Sequence, residues 1–289
     1  MFSNDPAVEI TDIETTTGNS PVDYVHGYGE DEAERLVEQA DLLAAMVHDG
    51  TRFTAGARVL EAGCGVGAQT VHLLRRSPEI ALTGLDRSRA SLDIARSRVA
   101  ACMPEANVEW VGGDLYEPPF AEDSFDHVFV CFVLEHVRSP ARILRSLRRV
   151  LRPGGSITLV EGDHGFDSFR PDSAYARKVI DSLVRVQSDA DGDALVGRKL
   201  HGLLAESGYA DIVTFPRPIR VDSDSPRYAK EFARNTHIPM IEAVRDKATG
   251  SGYISRDDWD QGISDLYRTA SEGVLSVTFM KATAIVSTA

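Results

Sequence analysis

The residues best suited to chemistry sit at three successive points in the first half of the chain. Glu61-Ala-Gly-Cys-Gly-Val-Gly67 places glycines at 63, 65 and 67 between a strand-like and a helix-like run. Glycine lets the backbone approach a ligand with no side chain in the way, and it permits positive φ at a turn. The spacing is G-x-G-x-G, not the G-x-G-x-x-G of dinucleotide-binding folds. Asp86 ends the next apolar run, where one carboxylate can accept from both hydroxyls of a ribose. Asp114, in Gly112-Gly-Asp-Leu-Tyr-Glu117, follows the third run, where a carboxylate can accept from an adenine amino group. Any one of these aspartates alone reads as a turn or helix-cap residue. Three such elements in succession point to a bound nucleoside.

Such residues need a framework that brings strand ends together. Arg58–Ala62, Ile80–Leu85, Val108–Val111, Asp126–Phe132 and Ser156–Val160 are short apolar strand runs. Helical stretches alternate with them, one capped by Ser88 and running to Ala101, another from Ala141 to Val150 stopped by Pro153-Gly-Gly155. This alternation predicts an α/β fold with a doubly wound, mostly parallel sheet. In open sheets of that kind, ligands bind in the crevice at the carboxyl ends of the strands, where the glycine loop falls. Residues 1–22 are polar and read as a mobile tail, or as an arm ordered only by what it covers. A helix then runs from about Gly29 to Gly50, with Leu36, Ala40, Leu43 and Val47 on one face. Further helices are expected at 174–187 and 198–207, with strands at 211–215 and 276–286. The stretches Pro226–Lys247 and Arg256–Gly273 are helical in composition. The resulting division is an arm and cap helices at 1–50, a core at 51–221, a helical cap insertion at 222–273 and a last core strand at 274–289.

Composition narrows the partners. The 289 residues carry 44 Asp and Glu against 31 Lys and Arg, a net charge of −13. That field repels phosphate backbones and anionic lipid, so neither nucleic acid nor a membrane is expected as partner. Arg142, Arg145 and Arg149 form one basic helix face, read as a solvated surface with cations near the helix C-terminus. No apolar run approaches the ~18–20 residues that span a bilayer. The opening Met1-Phe-Ser-Asn-Asp-Pro has neither the basic nor the apolar region of a signal peptide. Cys64, Cys102 and Cys131 are scattered, with no metal or disulfide spacing. A cytoplasmic protein is expected.

Val59-Leu-Glu-Ala-Gly-Cys-Gly-Val-Gly67, Gly84-Leu-Asp-Arg-Ser88, Gly113-Asp-Leu115, Phe125-Asp-His-Val128 and Val150-Leu-Arg-Pro-Gly-Gly155 together resemble the class I S-adenosylmethionine-dependent methyltransferases. The resemblance covers residues 55–162 densely. It implies a seven-stranded sheet whose last strand runs antiparallel, and S-adenosyl-L-methionine as cofactor. Carried over by position, Gly63, Gly65 and Gly67 hold the methionyl part and Asp86 the ribose. Asp114 and Leu115 frame the adenine, and Cys131 lines the floor below the sulfonium. Tyr28, Glu61, Gln69 and Arg87 complete the implied cofactor set. Tyr24-Val-His-Gly-Tyr28 and Glu161-Gly-Asp-His-Gly165 are similar to a subgroup acting on small molecules. Within it the chain resembles actinomycete enzymes that methylate indole carbon.

A sulfonium methyl is already electrophilic, so such a protein chiefly aligns the partners and excludes water. A base is needed only where the nucleophile must lose a proton. His164 follows the fifth strand beside Asp163 and Glu161 and is the first choice; His237 and Tyr24 of the arm come next. Glu161, Asp163, His164 and Asp167 also admit a reading as metal ligands. Neighbouring residues point different ways, however, and no second cluster is evident, so no metal is expected. The function expected is methyl transfer to a small molecule, a secondary metabolite with an aromatic or indole carbon among the acceptors. The alternatives are an RNA or protein methyltransferase, a dehydrogenase-like nucleotide-binding domain, and a non-catalytic binder. The oligomeric state is left open, a homodimer included.

Overall fold

The computed structural model describes residues 30–288. Strands and helices alternate through the first half, except that β3 leads to β4 without a helix: α1 (Glu30–Val47), β1 (Arg58–Ala62), α2 (Ala68–Arg76), β2 (Ala81–Asp86), α3 (Arg89–Cys102), β3 (Val108–Gly112), β4 (Phe125–Cys131), α4 (Pro140–Val150) and β5 (Leu151–Gly162). Then come β6 (Ser168–Arg170), α5 (Ala174–Asp189), α6 (Leu200–Glu206) and β7 (Ala210–Val221). The chain ends with α7 (Arg227–Phe232), α8 (Ile238–Glu242), α9 (Arg245–Gly250), α10 (Arg256–Glu272) and β8 (Val274–Ile285). No described helix is long and apolar enough to cross a membrane.

The sheet order is β3-β2-β1-β4-β5-β8-β6, with β7 on the other edge of β8. β1 to β5 pair in parallel, and β8 runs antiparallel to β5, β6 and β7. The mostly parallel, doubly wound sheet matches expectation, but it has eight strands rather than seven. The addition is β6. β8 is twelve residues long, and β5 pairs only its far half, from Phe279 to Ile285. The edge left open at Val274–Ser276 is filled by Ser168–Arg170.

Strand alternation divides the core. Val59, Phe129 and Val160 face α2 and the late helices, together with Leu43, Phe232 and Trp259. Their neighbours Leu60, Val128 and Leu159 point the other way, against Ile143, Leu144 and Leu147 of α4. Each buried leucine or isoleucine of this kind contributes about 1.5–3 kcal/mol, which fixes the register of the sheet.

The stretch 226–247, expected to be helical in composition, forms α7, a π turn at Ala233–His237, α8 and the start of α9. Pro239 has no backbone N–H to donate inside a continuing helix, and it sits in the first turn of α8, where that loss is harmless. The π turn before it swings His237 into the interior, 3% exposed.

Candidate active site

β1 and β4 are neighbouring parallel strands whose connections lead to opposite sides of the sheet, to β2 and to β5, and the crevice at that switch holds the glycine loop. Gly63, Gly65 and Gly67 all have positive φ, at 76°, 51° and 73°. The three do different jobs. A Cβ on Gly63 would stand 2.6 Å from Val133 Cγ2, and one on Gly67 would stand 2.9 Å from Ala95 Cβ. These two let the loop pack closely. Only at Gly65 would a Cβ meet nothing within 4 Å. That backbone therefore borders open space, where a ligand's polar groups can approach it.

The space is a chamber of about 260 Å³. It is lined by Glu61, Gly63, Gly65, Gln69, Asp86, Arg87, Asp114, Leu115 and Cys131, all expected from the sequence as cofactor residues. Gly67 is not in its wall, and Tyr28, with Tyr24, lies outside the described residues. Asp86 organises the entrance: Oδ2 accepts from the Gly65 amide at 2.9 Å and Oδ1 from the Ser88 amide at 2.8 Å. Each oxygen keeps further lone-pair capacity for a hydroxyl. Asp114 Oδ1 accepts from the Tyr116 amide at 2.9 Å, which leaves its other oxygen for a ligand. Glu61 is buried and accepts from the Thr70 hydroxyl at 2.5 Å. Burial, with Asp86 beside it, pushes its carboxyl up to about 8. Burial likewise raises the Cys131 thiol, so it presents a neutral S–H to the chamber.

The far wall was not legible in the sequence. It consists of Glu32, Leu36 and Gln39 of α1 together with Phe132, Val133, His136 and Val137. Phe132 takes φ 56°, a left-handed value costly for an aromatic residue, and its amide donates to Val160 O at 2.9 Å. That turn sends the chain into the one-turn helix Leu134–His136. Glu161 caps it, accepting from the amides of Val133 and Leu134 at 3.0 and 2.9 Å. His136, read from sequence as structural, lines the chamber, and burial holds its imidazole below its usual range, hence neutral.

His164 and His237, the histidines expected at the reaction centre, are not in this wall. They lie together behind it, their rings stacked at 5.8 Å. The carboxylates thought to serve His164 have other partners. Glu161 caps the turn, and Asp163 takes Arg198 in a bidentate pair at 2.7–3.1 Å. Proximity in sequence misled because successive residues leaving a strand point apart. The arginine face of α4 meets its own chain: Arg142 lies over the Tyr116 ring, and Arg149 donates to the carbonyls of Phe120 and Pro118.

Known proteins share this architecture. A family model described as a methyltransferase domain matches residues 59–155. The 27-O-demethylrifamycin SV methyltransferase of Amycolatopsis mediterranei is 30% identical over 229 residues, covering 78% of this chain and 80% of that protein. Methyltransferase GfsG of Streptomyces halstedii is 32% identical over 142 residues, 48% of this chain and 51% of its own length. The chain thus spans about half the length of some curated relatives it matches. Among solved structures, the [4+2]-cyclase SpnF superposes with a TM-score of 0.55 at 20% identity, covering 86% of this chain and 81% of that one.

Proposed function

Because this chain belongs to the S-adenosylmethionine-dependent methyltransferase family, we propose that it transfers a methyl group from that cofactor to a small-molecule acceptor. The observation that carries this reading is the mixed lining of the chamber. It joins the Gly65 backbone, Asp86 and Asp114 to a mainly apolar set, Leu36, Phe132, Val133 and Val137. When bound, S-adenosylmethionine supplies an electrophilic methyl on sulfur. The chain's own residues bind, orient and exclude water. Asp86 and Asp114 hold polar groups at fixed places, and the half-buried Cys131 and Phe132 line the chamber with apolar surface.

Where the acceptor must lose a proton, we assign the proton-accepting role to His136 rather than His164. His136 faces the chamber and is held neutral, which a base requires. The apolar part of the lining suits a weakly polar metabolite, and the relative named for a rifamycin supports that class. An aromatic or indole carbon is the acceptor to test first. The net charge of −13 disfavours RNA as the alternative. The test is incubation with methyl-labelled cofactor and an indole panel, then with an extract of small metabolites, followed by mass spectrometry. Label in a small molecule supports the reading. Label only in RNA or protein, or none anywhere, sinks it.

A further inference from the structure

Behind the chamber wall, three side chains converge that methyl transfer does not use. His164 opens the one-turn helix after β5, Asp167 follows that helix, and His237 ends the π turn far along the chain. One ligand atom from each lies within 4.8 Å of the other two. Asp167 Oδ2 stands 3.4 Å from His164 Nδ1 and 3.2 Å from His237 Nε2. The side chains are 6%, 1% and 3% exposed.

Hydrogen bonding among the three accounts poorly for the cluster. The His164 contact is long, and His237 Nε2 comes close to the carboxylate without the alignment of a hydrogen bond. Asp167 Oδ1 is buried and accepts from nothing among the described residues. Unpartnered buried polar atoms are costly, and native proteins keep few of them. Two imidazole nitrogens and a carboxylate oxygen aimed at one point, yet poorly satisfied by one another, fit a shared occupant that accepts electron pairs from all three.

We propose that His164, Asp167 and His237 form a site for a single divalent transition-metal ion. The donor set suits zinc, ferrous iron, cobalt or nickel; magnesium and calcium take oxygen ligands almost exclusively. The surroundings agree in charge and geometry. Glu135 Oε2 and His164 Nε2 converge on the space beside Gly162, each 3.6 Å from where a Cβ there would stand. Asp163 is neutralised by Arg198, whereas the ion-pair partners of Asp167 among the described residues are the two histidines. Phe232 closes the apolar side, its ring 5.7 Å from that of His237. The sequence argued against a metal because neighbouring residues point in different directions and no second cluster was evident. The fold supplies the missing ligand from the segment between β7 and β8, and the ion would tie that segment to the end of β5.

The site stands or falls apart from the methyltransferase reading, since metal content is measured without turnover. The full chain, free of any affinity tag, is stripped with chelator and titrated with cobalt(II), zinc(II) and, without oxygen, iron(II). One equivalent should bind, with a visible cobalt spectrum and a raised melting temperature. Asp167→Asn and His237→Gln should each weaken cobalt binding at least tenfold while affinity for S-adenosylhomocysteine is kept. Should either variant fail to fold, X-ray absorption of the wild-type metal decides, by showing scattering from two imidazoles. No uptake by the wild-type protein, undiminished uptake by both variants, or a thiolate or all-oxygen shell would overturn the proposal.

Discussion

Lys281 Nζ stands 2.9 Å from the carbonyl oxygen of Val47, the last residue of α1. The ammonium rises from the middle of β8 and is 2% exposed. It also donates to Asp49 O and Thr51 Oγ1, both at 2.6 Å. A cation there satisfies carbonyls that a helix C-terminus leaves without partners and complements the helix dipole. It thereby fixes the helix that forms the far wall of the chamber. Lys281→Met keeps the apolar stem and strands those carbonyls. Thermal or urea unfolding should show a loss of about 2–4 kcal/mol, and hydrogen exchange should rise first in residues 43–51. A variant as stable as the parent, with α1 equally protected, would mean the latch is idle.

The glycines of the loop separate by experiment. Alanine at either Gly65 or Gly67 must adopt positive φ, a cost of about 1–2 kcal/mol. At Gly67 the new methyl also meets Ala95, adding about 1–3 kcal/mol. Gly67→Ala should therefore melt lower than Gly65→Ala. Gly65→Ala should lose more affinity for S-adenosylhomocysteine, at least tenfold by calorimetry, because its methyl enters the space the ligand needs. The reverse ranking of the two effects would contradict the division of labour.

Asp86 joins the loop to α3 as well as facing the chamber. Asp86→Ala should lower affinity for S-adenosylhomocysteine at least tenfold, since charge-assisted bonds contribute about 1.5–3 kcal/mol each. Asp86→Asn keeps one acceptor oxygen and should fall between. Unchanged binding in the alanine variant would remove Asp86 from the ribose.

Glu61 makes stability depend on pH in a known direction. Its folded value, about 8, lies above the ordinary carboxyl value of 4.5, so between these the folded protein holds a proton that the unfolded chain has lost. The stabilisation is complete below pH 4.5 and disappears as pH rises through 8. Glu61→Gln still accepts from Thr70 and carries no charge. Melting temperatures of the ligand-free proteins should converge near pH 5 and separate by pH 8.5, with the variant the more stable. Parallel curves would show that Glu61 is ionised throughout.

His136 gives a kinetic prediction. With an acceptor that must lose a proton, His136→Gln should cut kcat by about 10²-fold or more, as loss of a general base does. Cofactor affinity should stay within a few-fold, because Asp86 and the loop are untouched. A variant retaining most of its kcat would return the base to a residue outside the described structure, such as Tyr24.

What the sequence by itself determined are features carried by short contiguous segments. The glycine loop with its positive-φ turns, the aspartates ending β2 and following β3, and the strand–helix alternation all depend on neighbours along the chain. The apolar runs around Val59-Leu60 and Val128-Phe129 are buried without alternation, as parallel strands covered on both faces require. Tertiary structure alone decided which distant elements meet. Whether His164 finds Asp163 or Asp167, whether His237 turns inward, and which lysine seals α1 depend on packing between segments with no shared local pattern. The eighth strand is of the same kind, since an open edge on β8 recruits three residues with no strand signal of their own. Burial then sets the chemistry: inside the fold a carboxyl such as Glu61 holds its proton and His136 loses its own, because a charge removed from water must find a partner or be given up.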